Sequence, residues 1–256
     1  MRAAAGRVTG RRRRTWIMAL APVLLLAALL IVFWTEPLGA FRALEWLTPQ
    51  VLWRVETREP LVALSFDDGP DPVHTGRVLD ILAQHGVQAT FFLIGSRAER
   101  HPELVGRIKA AGHEVGNHCF TDGTTLGASS TEFVESLLRT ERAAGLQGDP
   151  KLFRPPGGLA WPHHLRQARE QGYRVVLGSA YPHDPSHPPV AYIEWLVEKN
   201  LVPGAIVILH DGIADPSRTL EALPRILAAG KDRGLRFVSV GVLLGEGTPP
   251  LAQAGR

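Results

Sequence analysis

Cysteine occurs only once in these 256 residues, at Cys119. One thiol cannot close an intrachain bridge, so a disulfide framework is excluded and the fold must rest on its core or on a metal. Phosphate-binding glycine signatures are also missing. There is no Walker loop, and no Gly-x-Gly-x-x-Gly follows the first apolar run of the globular part. No internal repeat is present, and the only biased tract is an arginine-rich start. Acidic residues are absent from the first 35 positions; Glu36 is the first.

That last absence explains the charge. The formal net charge is +3, but Arg2, Arg7, Arg11, Arg12, Arg13 and Arg14 all precede Glu36. Setting those six aside leaves 22 basic against 25 acidic residues, so the remainder is mildly acidic and nucleic acid is not an expected partner. After the arginines come nineteen uncharged residues, Trp16 to Trp34. As a helix they reach about 28 Å, close to the hydrocarbon thickness of a bilayer. Tryptophans at both ends suit the two interfaces, and the arginines predict a cytoplasmic N-terminus. The rival is a cleaved signal peptide, whose apolar core runs only about 7–15 residues. Leu38-Gly39-Ala40 is a weak match to a cleavage site. The expected organisation is a basic cytoplasmic tail (1–15), a single-pass transmembrane anchor (16–34), a stalk (35–57), an extracytoplasmic domain (58–243) and a short tail (244–256).

Within the domain, short apolar runs alternate with amphipathic segments of helical length. Strands are expected at Leu61–Phe66, Ala89–Ile94, His113–Asn117, Leu152–Arg154, Arg174–Gly178, Ala205–Leu209 and Arg236–Val240. Helices are expected at Thr75–His85, Pro102–Ala111, Thr131–Ala144, Pro162–Gln171, Pro189–Asn200 and Pro216–Ala229, with prolines at starts and glycines past ends. Such alternation implies parallel strands and an α/β fold, either doubly wound or a barrel of fewer than eight units. In both, functional side chains gather at the C-terminal ends of strands. Asp67, Asp68, His118, Arg154 and His210 all stand at or just past such an end.

Taken as one pocket, Asp68, His118 and Asp122 would offer a divalent cation one imidazole and two carboxylates. Asp67 beside it suits a general base, Arg154 a group that holds that base ionised, and His210 a proton donor. Each also has a plainer reading. Asp-Asp-Gly-Pro is good turn chemistry, and an arginine before two prolines serves as a turn cap.

The motifs in order resemble those of the polysaccharide deacetylases, the NodB-homology carbohydrate esterases. Ser65-Phe66-Asp67-Asp68-Gly69-Pro70 is similar to the family's first motif, which implies Asp67 as catalytic base and Asp68 as metal ligand. Gly112 to His118 resembles the approach to the second, metal-binding motif. Phe153-Arg154-Pro155-Pro156-Gly157-Gly158 resembles the third, implying that Arg154 orients the base and the Gly157 N–H helps form the oxyanion hole. Ile206 to Gly212 resembles the fifth, with Leu209 lining an acetyl pocket and His210 as general acid. The resemblance implies a distorted (β/α) barrel of about seven strands and removal of N-acetyl groups from an amino-sugar polysaccharide, peptidoglycan or chitin-like. It also implies a divalent metal, zinc before cobalt or manganese. Hydrolysis of another acyl amide or ester, or glycan binding with weak catalysis, are the alternatives.

The departures are local. Asp122 stands where the family has a second histidine, and Cys119, read as small and buried, where it has a small hydroxyl residue. Gly157 replaces an aromatic, for which Trp161 is the candidate substitute as a sugar platform. Tyr181-Pro182-His183-Asp184-Pro185 lacks the fourth motif's tryptophan. Asp184 is the candidate partner of His210, and His183 reads as a surface residue without a role.

Overall fold

The computed structural model of the chain describes residues 22–32, 34–36 and 38–246. Eight strands form one parallel sheet: β1 (Val51–Leu52), β2 (Leu61–Asp67), β3 (Thr90–Leu93), β4 (Glu114–Asn117), β5 (Lys151–Phe153), β6 (Tyr173–Val176), β7 (Ile206–His210) and β8 (Arg236–Val238). Their order is β1-β6-β5-β4-β3-β2-β7, with β8 added to β2. Lone bridges from Arg54 to Ala205 and from Ala180 to Val207 draw the β1–β6 end towards β7, so the sheet curls into an incomplete barrel. The expected barrel is therefore present, with seven strands on its main path and an eighth beside it.

Parallel strands covered on both faces need continuous apolar runs, and β2 is buried at all seven positions. Its alternation assigns the faces. Val62, Leu64 and Phe66 pack outward with Phe91, Val207 and Leu209 under the helices. Leu61 and Ala63 point inward with Leu52, Phe92, Val176 and Ile206. Val240 and Leu243 of the last helix, Val240–Glu246, join this inner cluster. The inner row of β2 continues as Ser65 and Asp67, so an apolar floor leads directly to polar groups at the strand's C-terminal end.

The helices follow their sequence signals. Ser130–Ala144 starts at a reciprocal capping box between Ser129 and Glu132 and stops at Gly145, whose φ of 53° is left-handed. All seven expected strands and six expected helices are found, with ends shifted by up to three residues. The helices Leu38–Leu47, Gly95–Arg100 and Val240–Glu246 were not expected. The expected stalk contributes β1, which pairs with β6 through Val51 and Leu52. Of the expected anchor, residues 16–21 and 33 lie outside the described residues, while 22–32 are helical. Among the described residues no helix is long and apolar enough to cross a membrane.

Candidate active site

The site begins with Arg154, which is 1 % exposed although it carries a full charge. Its guanidinium donates to Asp67 Oδ1 (2.6 Å), Ser65 Oγ (2.8 Å) and the carbonyl oxygens of Leu177 (3.1 Å) and Val176 (3.3 Å). It also lies over the Phe92 ring, 4.1 Å from its centroid. A buried guanidinium needs a carboxylate and acceptors for its remaining N–H groups, and the inner rows of neighbouring strands supply both. Asp67 is thereby fixed in place.

Asp68 and His118 come next. His118 Nδ1 lies 2.8 Å from the Arg154 carbonyl oxygen. A carbonyl only accepts, so Nδ1 carries a hydrogen, and Nε2 faces Asp68 Oδ1 at 3.3 Å. An imidazole nitrogen and a carboxylate oxygen meeting in this way suit a shared cation, and the second-nitrogen hydrogen bond is what orients a metal-binding imidazole. Burial alone would raise the Asp68 pKa, but His118, His210 and Arg97 outweigh it and bring it down to about 2. Asp68 has φ 71°, and Arg97 donates to its carbonyl at 2.8 Å and also to the Gly212 carbonyl. A Cβ at Gly212 would stand 2.0 Å from the Asp68 carbonyl oxygen, so this crossing admits only glycine.

Asp122 lines the same cavity, but its side chain is 69 % exposed and pairs with Arg97 Nη2 at 3.0 Å. Among the described residues no three His, Cys, Asp or Glu side chains are gathered as a metal-holding group. The structure thus joins Asp68 to His118 and turns Asp122 to a neighbouring arginine.

His210 faces Asp67 in register across β2 and β7. Asp184 accepts from His210 Nδ1 (2.9 Å), from the His210 backbone N–H (2.9 Å) and from Thr219 Oγ1 (2.9 Å). This leaves Nε2 as the free edge of the ring. Burial would lower the His210 pKa, yet Asp184, Asp67 and Asp68 together raise it to about 9. Asp184 is therefore where the sequence places it functionally, beside His210.

These groups share a cavity of about 480 Å³ with Gly157, Pro156, Leu177, Ile208, Tyr181, Trp53, Phe41 and Glu36. Gly157, at φ 64°, is part of the lining as expected. Three expectations are corrected. Leu209 packs in the outer core, because His210 faces the cavity and its strand neighbour must face away; Ile208 has the inward parity instead. Trp161 is not part of the lining; its indole donates to the Leu126 carbonyl at 2.9 Å, and Phe41, Trp53 and Tyr181 are the aromatic residues present. His183, read as a surface residue, is 4 % exposed, with its ring 4.6 Å from that of Tyr181. Cys119 is buried as expected, and burial pushes its thiol up to about 12.

Asp211 was missed. It is wholly buried, accepts from Thr75 Oγ1 (2.5 Å) and is raised to about 7 by burial. It supports the Asp67–Gly69 turn from below: a Cβ at Gly69 would stand 2.8 Å from its carboxylate oxygens. Its position directly after His210 was the available signal.

The Asp184–His210 pair makes a definite pH prediction. A raised imidazole pKa keeps His210 protonated up to about 9, so a step that needs its proton is lost only as pH rises through that value. Asp184→Asn removes the largest raising influence. The His210 titration followed by NMR, and the alkaline limb of any pH–rate profile, should both move to lower pH by roughly a unit or more.

Comparison with known proteins agrees with this geometry. Residues 54–176 match the family described as polysaccharide deacetylase. A peptidoglycan-N-acetylglucosamine deacetylase of Bacillus cereus is 42 % identical over 200 residues, covering 77 % of this chain and 94 % of that protein. The crystal structure of a peptidoglycan N-acetylglucosamine deacetylase in complex with 4-naphthalen-1-yl-N-oxidanyl-benzamide aligns with a TM-score of 0.74 at 30 % identity. It covers 80 % of this chain and 97 % of that one. A family 4 acetyl xylan esterase from Clostridium thermocellum in complex with a cobalt ion aligns with a TM-score of 0.66 at 32 % identity, over 72 % of this chain and 90 % of that one. The motif order, the curled parallel sheet and these matches together make the chain a member of the polysaccharide deacetylase family.

Proposed function

We propose that this protein is a metal-dependent N-deacetylase of an amino-sugar polysaccharide, peptidoglycan or a chitin-like glycan, acting outside the cytoplasm. The observation that carries the reading is the presence of two differently held proton-transfer groups in one cavity. Asp67, held by Arg154, and His210, held by Asp184, stand in register on neighbouring strands and line one cavity with the Asp68–His118 pair.

Asp68 and His118 would hold the metal, zinc first and cobalt or manganese as alternatives, with Asp122 completing the set on release from Arg97. When bound, a divalent cation supplies Lewis acidity towards the acetamide carbonyl and lowers the pKa of water. The chain's own residues do the remaining work. Asp67 is aimed by its arginine and takes the proton of the attacking water. The Gly157 N–H is offered to the oxyanion that develops on the acetyl oxygen. His210 Nε2 donates its proton to the amide nitrogen as the C–N bond breaks, giving acetate and a free amino sugar. Leu177 and Ile208 provide an apolar side for the acetyl methyl.

The location rests on the N-terminal segment. Val23, Leu24, Leu25, Leu26 and Ile31 lie on a helix with more than half of each side chain exposed, an expensive arrangement in water and an ordinary one in lipid. Six arginines precede it in the sequence, which supports a catalytic domain on the far side of the membrane.

One observation favours a second reading, a glycan-binding protein with weak catalysis: the Arg97–Asp122 pair leaves, among the described residues, only Asp68 and His118 converging. Two tests separate these. With zinc and N-acetylglucosamine oligomers or peptidoglycan, the wild-type chain should release acetate. Asp67→Asn should lose on the order of 10³-fold in turnover while keeping its metal, and Asp68→Asn should lose the metal. Retained metal in the second variant contradicts the ligand assignment, and no acetate from any glycan contradicts the activity. Asp122→His, which has no carboxylate to give to Arg97, should bind zinc at least about tenfold more tightly by competition titration, roughly 1.4 kcal/mol. Equal affinity would show that Asp122 already serves fully.

A further inference from the structure

The segment leading from the apolar helix into the domain does not stand clear of the catalytic cavity. Residues 34–36 are fastened to it at several points. Tyr192 Oη donates to the Trp34 carbonyl at 2.6 Å, Lys199 donates to the Thr35 carbonyl, and the Trp34 ring sits 4.9 Å from that of His183. Glu36, at φ 43°, turns inward and is only 9 % exposed. Its Oε2 accepts from the Tyr181 backbone N–H at 2.8 Å, while Oε1 stands 3.9 Å from His183 Nε2, beyond hydrogen-bond reach. Phe41 follows, its ring 5.9 Å from that of Trp53. Glu36, Phe41 and Trp53 all line the cavity that holds Asp67 and His210.

A carboxylate oxygen and an apolar aromatic pair lining one cavity are the chemistry that receives a pyranose ring. The oxygen accepts from a hydroxyl, and the aromatic faces cover the ring's C–H side. We propose that this segment builds a sugar subsite within the catalytic cavity, with Glu36 as a hydroxyl acceptor and Phe41–Trp53 as the apolar platform. The inference deepens the deacetylase reading and rests on it. Burial pushes the Glu36 pKa up to about 7, consistent with a group kept in a costly place for a polar ligand. The plainer rival is that Glu36 only clips the segment to Tyr181.

The test uses the full, zinc-loaded chain in detergent. N-acetylglucosamine oligomers of two to six sugars are titrated calorimetrically into Asp67→Asn, and into the same chain carrying Glu36→Ala, Glu36→Gln or Trp53→Ala. The subsite predicts at least fivefold weaker binding of the longer oligomers for Glu36→Ala and for Trp53→Ala. Glu36→Gln, which keeps an acceptor oxygen, should bind within about twofold of the parent. On the otherwise wild-type chain, Glu36→Ala should raise KM for acetate release more than it lowers kcat. Unchanged oligomer affinity with a lowered melting temperature identifies a clip and overturns the subsite alone. Absence of acetate from every glycan with the wild-type chain overturns the deacetylase reading, and the subsite with it.

Discussion

A guanidinium sealed from water is the constraint around which this fold is arranged. Arg154 cannot shed its charge, so every direction it faces must supply an acceptor or a π surface. Asp67 and Ser65 from β2, the carbonyl oxygens of the last residue of β6 and the residue after it, and the Phe92 ring from β3 meet that demand. The residue's own carbonyl fixes the tautomer of His118. One buried side chain thus positions Asp67, and its backbone positions His118. Removing either partner of the Arg154–Asp67 pair strands a charge, at a cost of about 3–5 kcal/mol.

Parallel-strand alternation distributes the remaining roles. The inward row of β2 changes from Leu61 and Ala63 to Ser65 and Asp67 within four residues, so the core ends where the chemistry begins. The same alternation on β7 sends Ile208 and His210 inward and Leu209 outward. Electrostatics then separates two groups that sit in register. Asp67 has a cation at its back and His210 has a carboxylate, so the two neighbours sit in opposite local fields, and the field at His210 raises its pKa to about 9.

Much of this was legible in the chain. The strand pattern marked every strand of the sheet except β1, whose two residues are too short for periodicity to register. The acidic and basic residues at strand ends marked the site, because parallel α/β folds collect function there. What escaped depends on contacts between residues distant in sequence. Glu36 meets Tyr181 across 145 positions and Asp122 meets Arg97 across 25, and nothing local announces either pair. Leu209 was misplaced by a residue count, since the cavity-facing parity is set by His210. Trp161 had an equally good use at the rim, where its indole found a carbonyl.

In the proposed mechanism, Arg154 serves the base through its side chain and the metal site through its backbone alone. Arg154→Met, a substitution of similar length without charge, separates the two functions. Zinc affinity and acetate release measured on this variant should show zinc bound within about threefold of wild type and turnover reduced by roughly 10³-fold or more. Loss of zinc together with activity, or turnover within tenfold of wild type, would contradict the account.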